Sequence, residues 1–132
     1  KSFKPVANAL PSMSWIIENN RISWLGQKLA ALYLRKLDFK GIEIVSKHPF
    51  SKKIDVVCFK NNVHHFINVF TSHNKINEIT KKYTLSSSKN SFINTITQNK
   101  IKDFEKKRSM FGQIFVQLQK GGPDIFFKEN IF

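Results

Sequence analysis

The sequence predicts an α/β domain, a mixed β-sheet flanked by helices with an N-terminal extension before it. Three observations carry that prediction. Apolar residues recur at steps of three and four in "RISWLGQKLAALYLRKLDF", the spacing of one helical face. Two strand runs, "KIDVVCFK" and "VHHFINVF", flank Asn61-Asn62, a pair that tolerates the positive φ of a tight hairpin turn. The element order is helix, three strands, helix, two strands, which suits a mixed sheet. A chain of 132 residues suffices for one such core but not two, and 41% apolar content with 13 Phe argues against disorder.

Each element has its own local reason. Residues 1–21 hold Pro5, Pro11 and apolar residues without sustained periodicity, so an extended arm is expected, with a short turn or helix around Ser12 to Glu18. Trp15, Ile16 and Ile17 are too apolar to stay in solvent and should dock on the domain or a partner. The domain proper is expected over residues 22–132. In its first helix Leu25, Leu29, Leu32, Tyr33 and Leu37 form the predicted buried face, with Arg35 and Lys36 at its edge. Gly26 costs about 1 kcal/mol against Ala inside a helix, which points to close packing there. Asp38 and Gly41 bracket the stop.

"GIEIVS" reads as a short strand with Ile42 and Ile44 on one face and Glu43 and Val45 on the other. A loop marked by His48, Pro49 and Ser51 leads into the hairpin. From Thr71 to Asn90 the polar composition, with "LSSSKN", predicts a flexible loop holding a helical turn around Lys75 to Lys82. A second helix follows, N-capped by Thr95 or Thr97, running through "QNKIKDFEKKRSMF" and burying Ile101, Phe104 and Phe111. Gly112 is its expected terminator. The strands "QIFVQLQ" and "DIFFKEN", joined by "KGGPD", complete the sheet.

Charge is the strongest compositional signal. Twenty-two basic residues against nine acidic ones give a net charge of +13 and a pI near 10. That excess attracts polyanions, and nucleic-acid phosphate is the commonest of them. Nineteen of the 22 are Lys, and Ile, Asn and Phe are also abundant, a bias expected of A/T-rich coding. Bidentate base reading favours Arg, and only Arg21, Arg35 and Arg108 are present, so contact with shape and backbone is expected over sequence-specific reading. The expected contact residues are Lys100, Lys102, Lys106, Lys107 and Arg108 on or beside the second helix, with Asp103 and Glu105 interleaved. Lys47, Lys52 and Lys53 before the hairpin, and Lys81, Lys82 and Lys89 in the polar segment, join them. A solvated helix face is the simpler reading of the second helix by itself.

Other chemistries are less well supplied. One cysteine, Cys58, excludes an internal disulfide, fits a reducing compartment and lies in an apolar strand where burial is expected. His48, His64, His65 and His73 lack zinc-ligand spacing. No apolar run is long enough to span a bilayer, and no membrane insertion is expected. The chain begins at Lys1 without Met, consistent with a leader removed or left outside this sequence.

A helix, a hairpin with Asp in its first strand, a helix and a further strand form the plan of the PD-(D/E)XK nuclease superfamily. The chain resembles in particular the archaeal Holliday-junction resolvases and related bacterial nuclease-like proteins. The resemblance runs from about Ser23 to Glu129 and rests on "LGQKLAALYLRKLDF", "KKIDVVCFKNN", "FINVFT" and "DFEKKRSMFGQIFVQL". It implies a restriction-endonuclease-like fold. In the family two carboxylates converge on Mg²⁺, which activates water and stabilises charge at phosphorus, while the lysine of Glu-X-Lys orients or deprotonates that water. Carried over by residue, Asp55 matches the aspartate, the glutamate position falls on Asn68 and the lysine position on Phe70. The acid that often precedes the aspartate strand is Lys53 here, and the first-helix glutamate region holds Gln27, Lys28 and Leu29.

Asp55, Asn68 and Phe70 are therefore expected to be vestigial, with no catalytic residue, metal or cofactor. Lys53 would repel Mg²⁺ and pair with Asp55, and losing several cooperating groups removes most of a rate enhancement. Asp55 also reads as a strand-end polar residue that caps or pairs. Phe66 and Phe70 read as core, and Asn68 as part of a polar pocket satisfied by Asp55 or water. The expected function is a catalytically inactive nuclease-fold subunit of a ribonucleoprotein particle, most concretely a mitochondrial ribosome in the organellar matrix, with RNA and neighbouring proteins as partners. One alternative is an active, Mg²⁺-dependent, structure-selective DNA endonuclease with acids relocated to Glu43, Glu78 or the His64–His65 pair. The other is a protein-only scaffold subunit of another organellar complex.

Overall fold

The computed structural model describes residues 13–45 and 54–132, with side chains in the first helix from residue 20 onward. The elements are α1 (Met13–Lys36), β1 (Lys40–Ile44), β2 (Val56–Lys60), β3 (Val63–Ser72), α2 (Ile76–Lys82), α3 (Leu85–Ile93), α4 (Gln98–Lys106), β4 (Met110–Gln117) and β5 (Asp124–Ile131). All five strands join one sheet in the order β1-β2-β3-β4-β5. Every neighbouring pair is antiparallel except β3 and β4, which run parallel. A parallel pair needs a long crossover, and α2, α3 and α4 form it. The mixed α/β fold predicted from the sequence is the fold observed.

Two apolar cores lie on opposite faces of the sheet. Ala30 and Leu34 of α1 pack on Val56, Cys58, Ile67, Ile114 and Val116. On the other face Phe92 of α3 and Phe104 of α4 pack on Phe111, with Val45, Ile54 and Phe66 joining them. The ring centroids of Phe66 and Phe104 are 4.6 Å apart, and such aromatic pairs add about 0.5–1.5 kcal/mol beyond burial. Ile42 and Ile44 pack on the first core and Val45 on the second, as alternation along the strand requires. At the hairpin turn Asn61 and Asn62 take φ values of 52° and 65°.

Four local expectations are revised. First, α1 begins at Met13, so the arm-to-domain boundary expected after residue 21 falls inside a continuous helix; the extended arm expected over residues 1–12 lies outside the described residues, as do the side chains of Trp15, Ile16 and Ile17 expected to dock. Second, the buried face of α1 is Gly26, Ala30 and Leu34, with Leu29 and Tyr33 at its flanks. Leu25 and Leu32, expected inside, are 41% and 56% exposed, and Leu37 is also exposed. The helix presents its small residues because they let its axis approach the sheet. Third, "LSSSKN" is helical: the Thr84 hydroxyl accepts from Ser87 N as an N-cap, and Ser88 and Phe92 are buried behind it. Fourth, α4 ends at Lys106 and Gly112 lies within β4. Arg108 makes the stop with a left-handed φ of 54°, while Ser109 N donates to Phe104 O. Phe111 is consequently buried as a strand residue, and Thr97 is the α4 N-cap, its hydroxyl accepting from Lys100 N.

Gly26 sits directly against Thr71 of β3. A Cβ at position 26 would overlap Thr71 Oγ1 and stand 2.7 Å from Thr71 Cβ. Gly26→Ala should gain about 1 kcal/mol of helix propensity and lose about 1–3 kcal/mol to overpacking. Urea unfolding is expected to show a net destabilisation of up to about 2 kcal/mol, partly recovered in Gly26→Ala/Thr71→Ala. An unchanged or higher midpoint for the single variant would contradict this seating of α1.

Candidate functional site

Where β2 begins, two consecutive residues face one. Val56 is the register partner of Ile67, yet the preceding Asp55 N also donates to Ile67 O at 2.9 Å. This is a β-bulge, and it re-aims the bulged side chain. Asp55 turns toward α1. Its Oδ2 accepts from Val69 N at 2.7 Å, and its Oδ1 accepts from Gln27 Nε2 at 3.2 Å. The amide nitrogen of Gln27 must be the atom facing the carboxylate, because an amide oxygen there would oppose another acceptor. Gln27 follows the glycine that seats α1 on the sheet, so the same contact that fixes the helix places this amide.

The carboxylate thus replaces a strand: it takes the β3 amide hydrogen that β2 would have bonded had it continued in register. Desolvation by burial raises the Asp55 pKa above the ordinary 3.8, outweighing the hydrogen bonds from Val69 N and Gln27, which lower it. Both oxygens face neutral donors.

Asn68 and Phe70 are not brought to Asp55. Side chains alternate along β3, and Val69 and Thr71 share the α1 face with Asp55 and Gln27. Phe70 lies on the opposite face, stacked on Tyr83 and Phe115 with centroid separations of 4.2 and 5.2 Å. Phe66 shares that face within the ring cluster around Phe92 and Phe104, so both phenylalanines pack in the core. By alternation Asn68 lies between them, beside its β4 register partner Gln113. Gln113 is fully buried and donates through Nε2 to Thr84 O and Ser88 Oγ. The Glu-X-Lys groups are missing on either face, since Asn68 and Phe70 stand on one and Val69 and Thr71 on the other.

The other candidate acids are scattered. Glu43 is an exposed β1 residue opposite Val57, and Glu78 is exposed in the first turn of α2. His64 is exposed and lies by Phe59. His65, 6% exposed, is tied to Val63 O through Nδ1 at 3.0 Å and to Glu129 Oε2 through Nε2 at 3.1 Å. Sequence reading missed this last pair because its members are far apart in the chain and meet only once β3, β4 and β5 align. Among the described residues no three His, Cys, Asp or Glu side chains form a group that could hold a metal. Burial pushes the Cys58 thiol up to about 12, with the nearby Glu129 charge adding to the effect, so it stays protonated at neutral pH.

The expected cationic residues fall into two places. Lys100, Lys102, Lys106, Lys107 and Arg108 are all exposed on α4 and its C-terminal stop, while Phe104 turns inward. Lys81 and Lys82 end α2 in the same helical layer, with Lys82 Nζ 5.6 Å from the Tyr83 ring centre. Lys89 serves structure in part, donating to Ile131 O at 2.7 Å. Lys47, Lys52 and Lys53, including the expected Lys53–Asp55 pair, lie outside the described residues. No helix among the described residues is long and apolar enough to cross a membrane.

No protein-family model, curated protein or solved structure matches the chain.

The Asp55 environment predicts a pH dependence. With its folded-state pKa above the unfolded value, the folded protein holds more protons than the unfolded chain just above the ordinary carboxyl pKa of 3.8, so stability falls as pH rises through that interval. Asp55→Asn removes this titration and keeps an acceptor for Val69 N–H. Chemical denaturation at pH 3 and pH 7 should show the wild type losing stability relative to Asp55→Asn at the higher pH. Parallel pH curves would contradict a desolvated carboxyl.

Proposed function

We propose that this chain is a catalytically inactive nuclease-fold protein that binds nucleic acid, and RNA in particular, as a structural subunit of a ribonucleoprotein particle. A mitochondrial ribosome in the organellar matrix is the most concrete setting. The observation that carries the reading is the excess of cations at α4: five exposed on this short helix and its stop against the exposed acids Asp103 and Glu105, in a chain of net charge +13. Closely spaced like charges repel one another in isolation and are stabilised beside a polyanion. The predominance of Lys favours phosphate contact over base reading.

The nuclease-like part of the reading is supported by the helix, aspartate-bearing hairpin, crossover and parallel strand that the chain adopts in that order. Its inactivity is supported by Asp55. The carboxylate serves as a ladder cap, each oxygen accepting from a neutral donor, and neither face of β3 offers a second acid or a lysine beside it. Phosphodiester hydrolysis by the metal route needs those groups together.

Two measurements test the two halves. Incubation with Mg²⁺ or Mn²⁺ and branched or single-stranded DNA is expected to give no cleavage, and cleavage abolished by Asp55→Ala would establish an active endonuclease instead. Binding to single-stranded RNA should weaken steeply with salt, and Lys106→Ala/Lys107→Ala should flatten the log–log slope by about 0.7 per lysine. Absence of RNA and DNA binding at low salt would overturn the reading in favour of a protein scaffold.

A further inference from the structure

At the hairpin end of the sheet, away from Asp55, a cavity of about 760 Å³ opens between the β2–β3 turn, the start of β4 and the end of β5. That volume falls within the range of about 300–1,000 Å³ typical of small-molecule sites. Phe39, Met110, Phe127 and Ile131 give it apolar walls on part of its lining, and Asn61, Asn62 and His65 are polar members of the rest. One carboxylate stands inside, Glu129, whose Oε2 lies 3.1 Å from Nε2 of buried His65. Three cations border the cavity. Lys60 is committed, since its Nζ donates to Leu37 O at 2.7 Å and stands 5.1 Å from the Phe39 ring centre. Lys107 and Arg108 are exposed where α4 ends and line the cavity.

We propose that this cavity takes one unpaired nucleotide of a bound RNA strand, with its base against the apolar walls and its phosphate on Lys107 and Arg108. The charge layout sets that orientation. The Glu129 carboxylate repels phosphate from the interior and accepts N–H groups from a base edge, whereas the cations lie where a phosphate would remain hydrated. A base removed from its stack gains contact with apolar and aromatic walls, and this mode of RNA recognition selects unpaired positions. Lys107 and Arg108, where α4 ends, are the residues shared by the basic helix and the cavity rim. The proposal rests on the RNA-binding reading above and adds to it a preference for an unpaired base.

The test compares wild-type protein on two RNA duplexes of equal length, one fully paired and one carrying a single bulged 2-aminopurine. The bulged duplex is expected to bind about tenfold tighter, with a change in 2-aminopurine fluorescence on binding. Ile131→Trp, at a half-exposed wall position near the end of β5, should fill the cavity, abolish that preference and leave affinity for the paired duplex unchanged. Equal affinity for both duplexes, or a preference that survives Ile131→Trp in a folded protein, overturns the nucleotide site while the RNA-binding reading stands. No binding to either duplex at low salt overturns both. Binding to anionic phospholipid vesicles that Ile131→Trp abolishes, without a bulge preference, assigns the cavity to a lipid headgroup and overturns the proposal.

Discussion

The contact between Gly26 and Thr71 sets the geometry on which the α1 side of the molecule depends. With no side chain at position 26, α1 lies against β3, and Ala30 and Leu34 follow it onto the sheet. That approach carries Gln27 to Asp55 and lets an amide and a carboxylate meet where β2 leaves the ladder. A larger residue would lift the helix and strand a half-buried carboxyl with one donor fewer, which low-dielectric surroundings make costly. The helix seat, the bulge at Asp55 and the capped amide of Val69 thus form one linked arrangement.

The two faces of the sheet divide their tasks. Beneath α1 aliphatic side chains pack closely with Phe39, Tyr33 and Phe127, and the polar contacts there are the neutral donors around Asp55 and the His65–Glu129 pair. On the other face the space is filled by phenylalanine rings, and the helices above them carry the cations outward. Aromatic side chains bury much area with few rotatable bonds, so three short helices are anchored through Ile79, Phe92 and Phe104 while nearly all other positions remain available for charge. A surface built this way can be strongly basic without weakening the core beneath it.

Sequence periodicity located the strands and the hairpin because alternation and the Asn-Asn turn are local signals. It misjudged the α1 face because glycine and alanine carry no hydrophobic signal, although they mark where a helix comes closest. The cost noted at Gly26 was the clue that pointed correctly. "LSSSKN" read as a loop by composition, yet Thr84 caps a helix whose anchor, Phe92, lies beyond the polar run. The end of α4 was displaced because Arg108 adopts the conformation usually left to glycine. At the site, the family resemblance points to Asp55 and to the region of Gln27, and it carries the Glu-X-Lys positions onto Asn68 and Phe70, which face away from the aspartate. A bulge changes the parity of alternation, and no residue type in "KKIDVV" announces one.

The parallel pairing of β3 and β4 has a consequence for how the chain acquires its structure. His65 and Met110 are register partners roughly 45 residues apart, so β3 forms its hairpin early while its other edge waits for a distant strand. Local elements such as the β2–β3 hairpin close in microseconds, whereas long-range parallel pairing must first meet the entropy of closing the intervening segment. During synthesis, at about 5–20 residues per second, "VHHFINVF" presents an unpaired apolar edge for several seconds before β4 emerges. The crossover helices therefore shield one face of β3 before its final neighbour arrives, and the interval between them is when this domain is most exposed to misassociation.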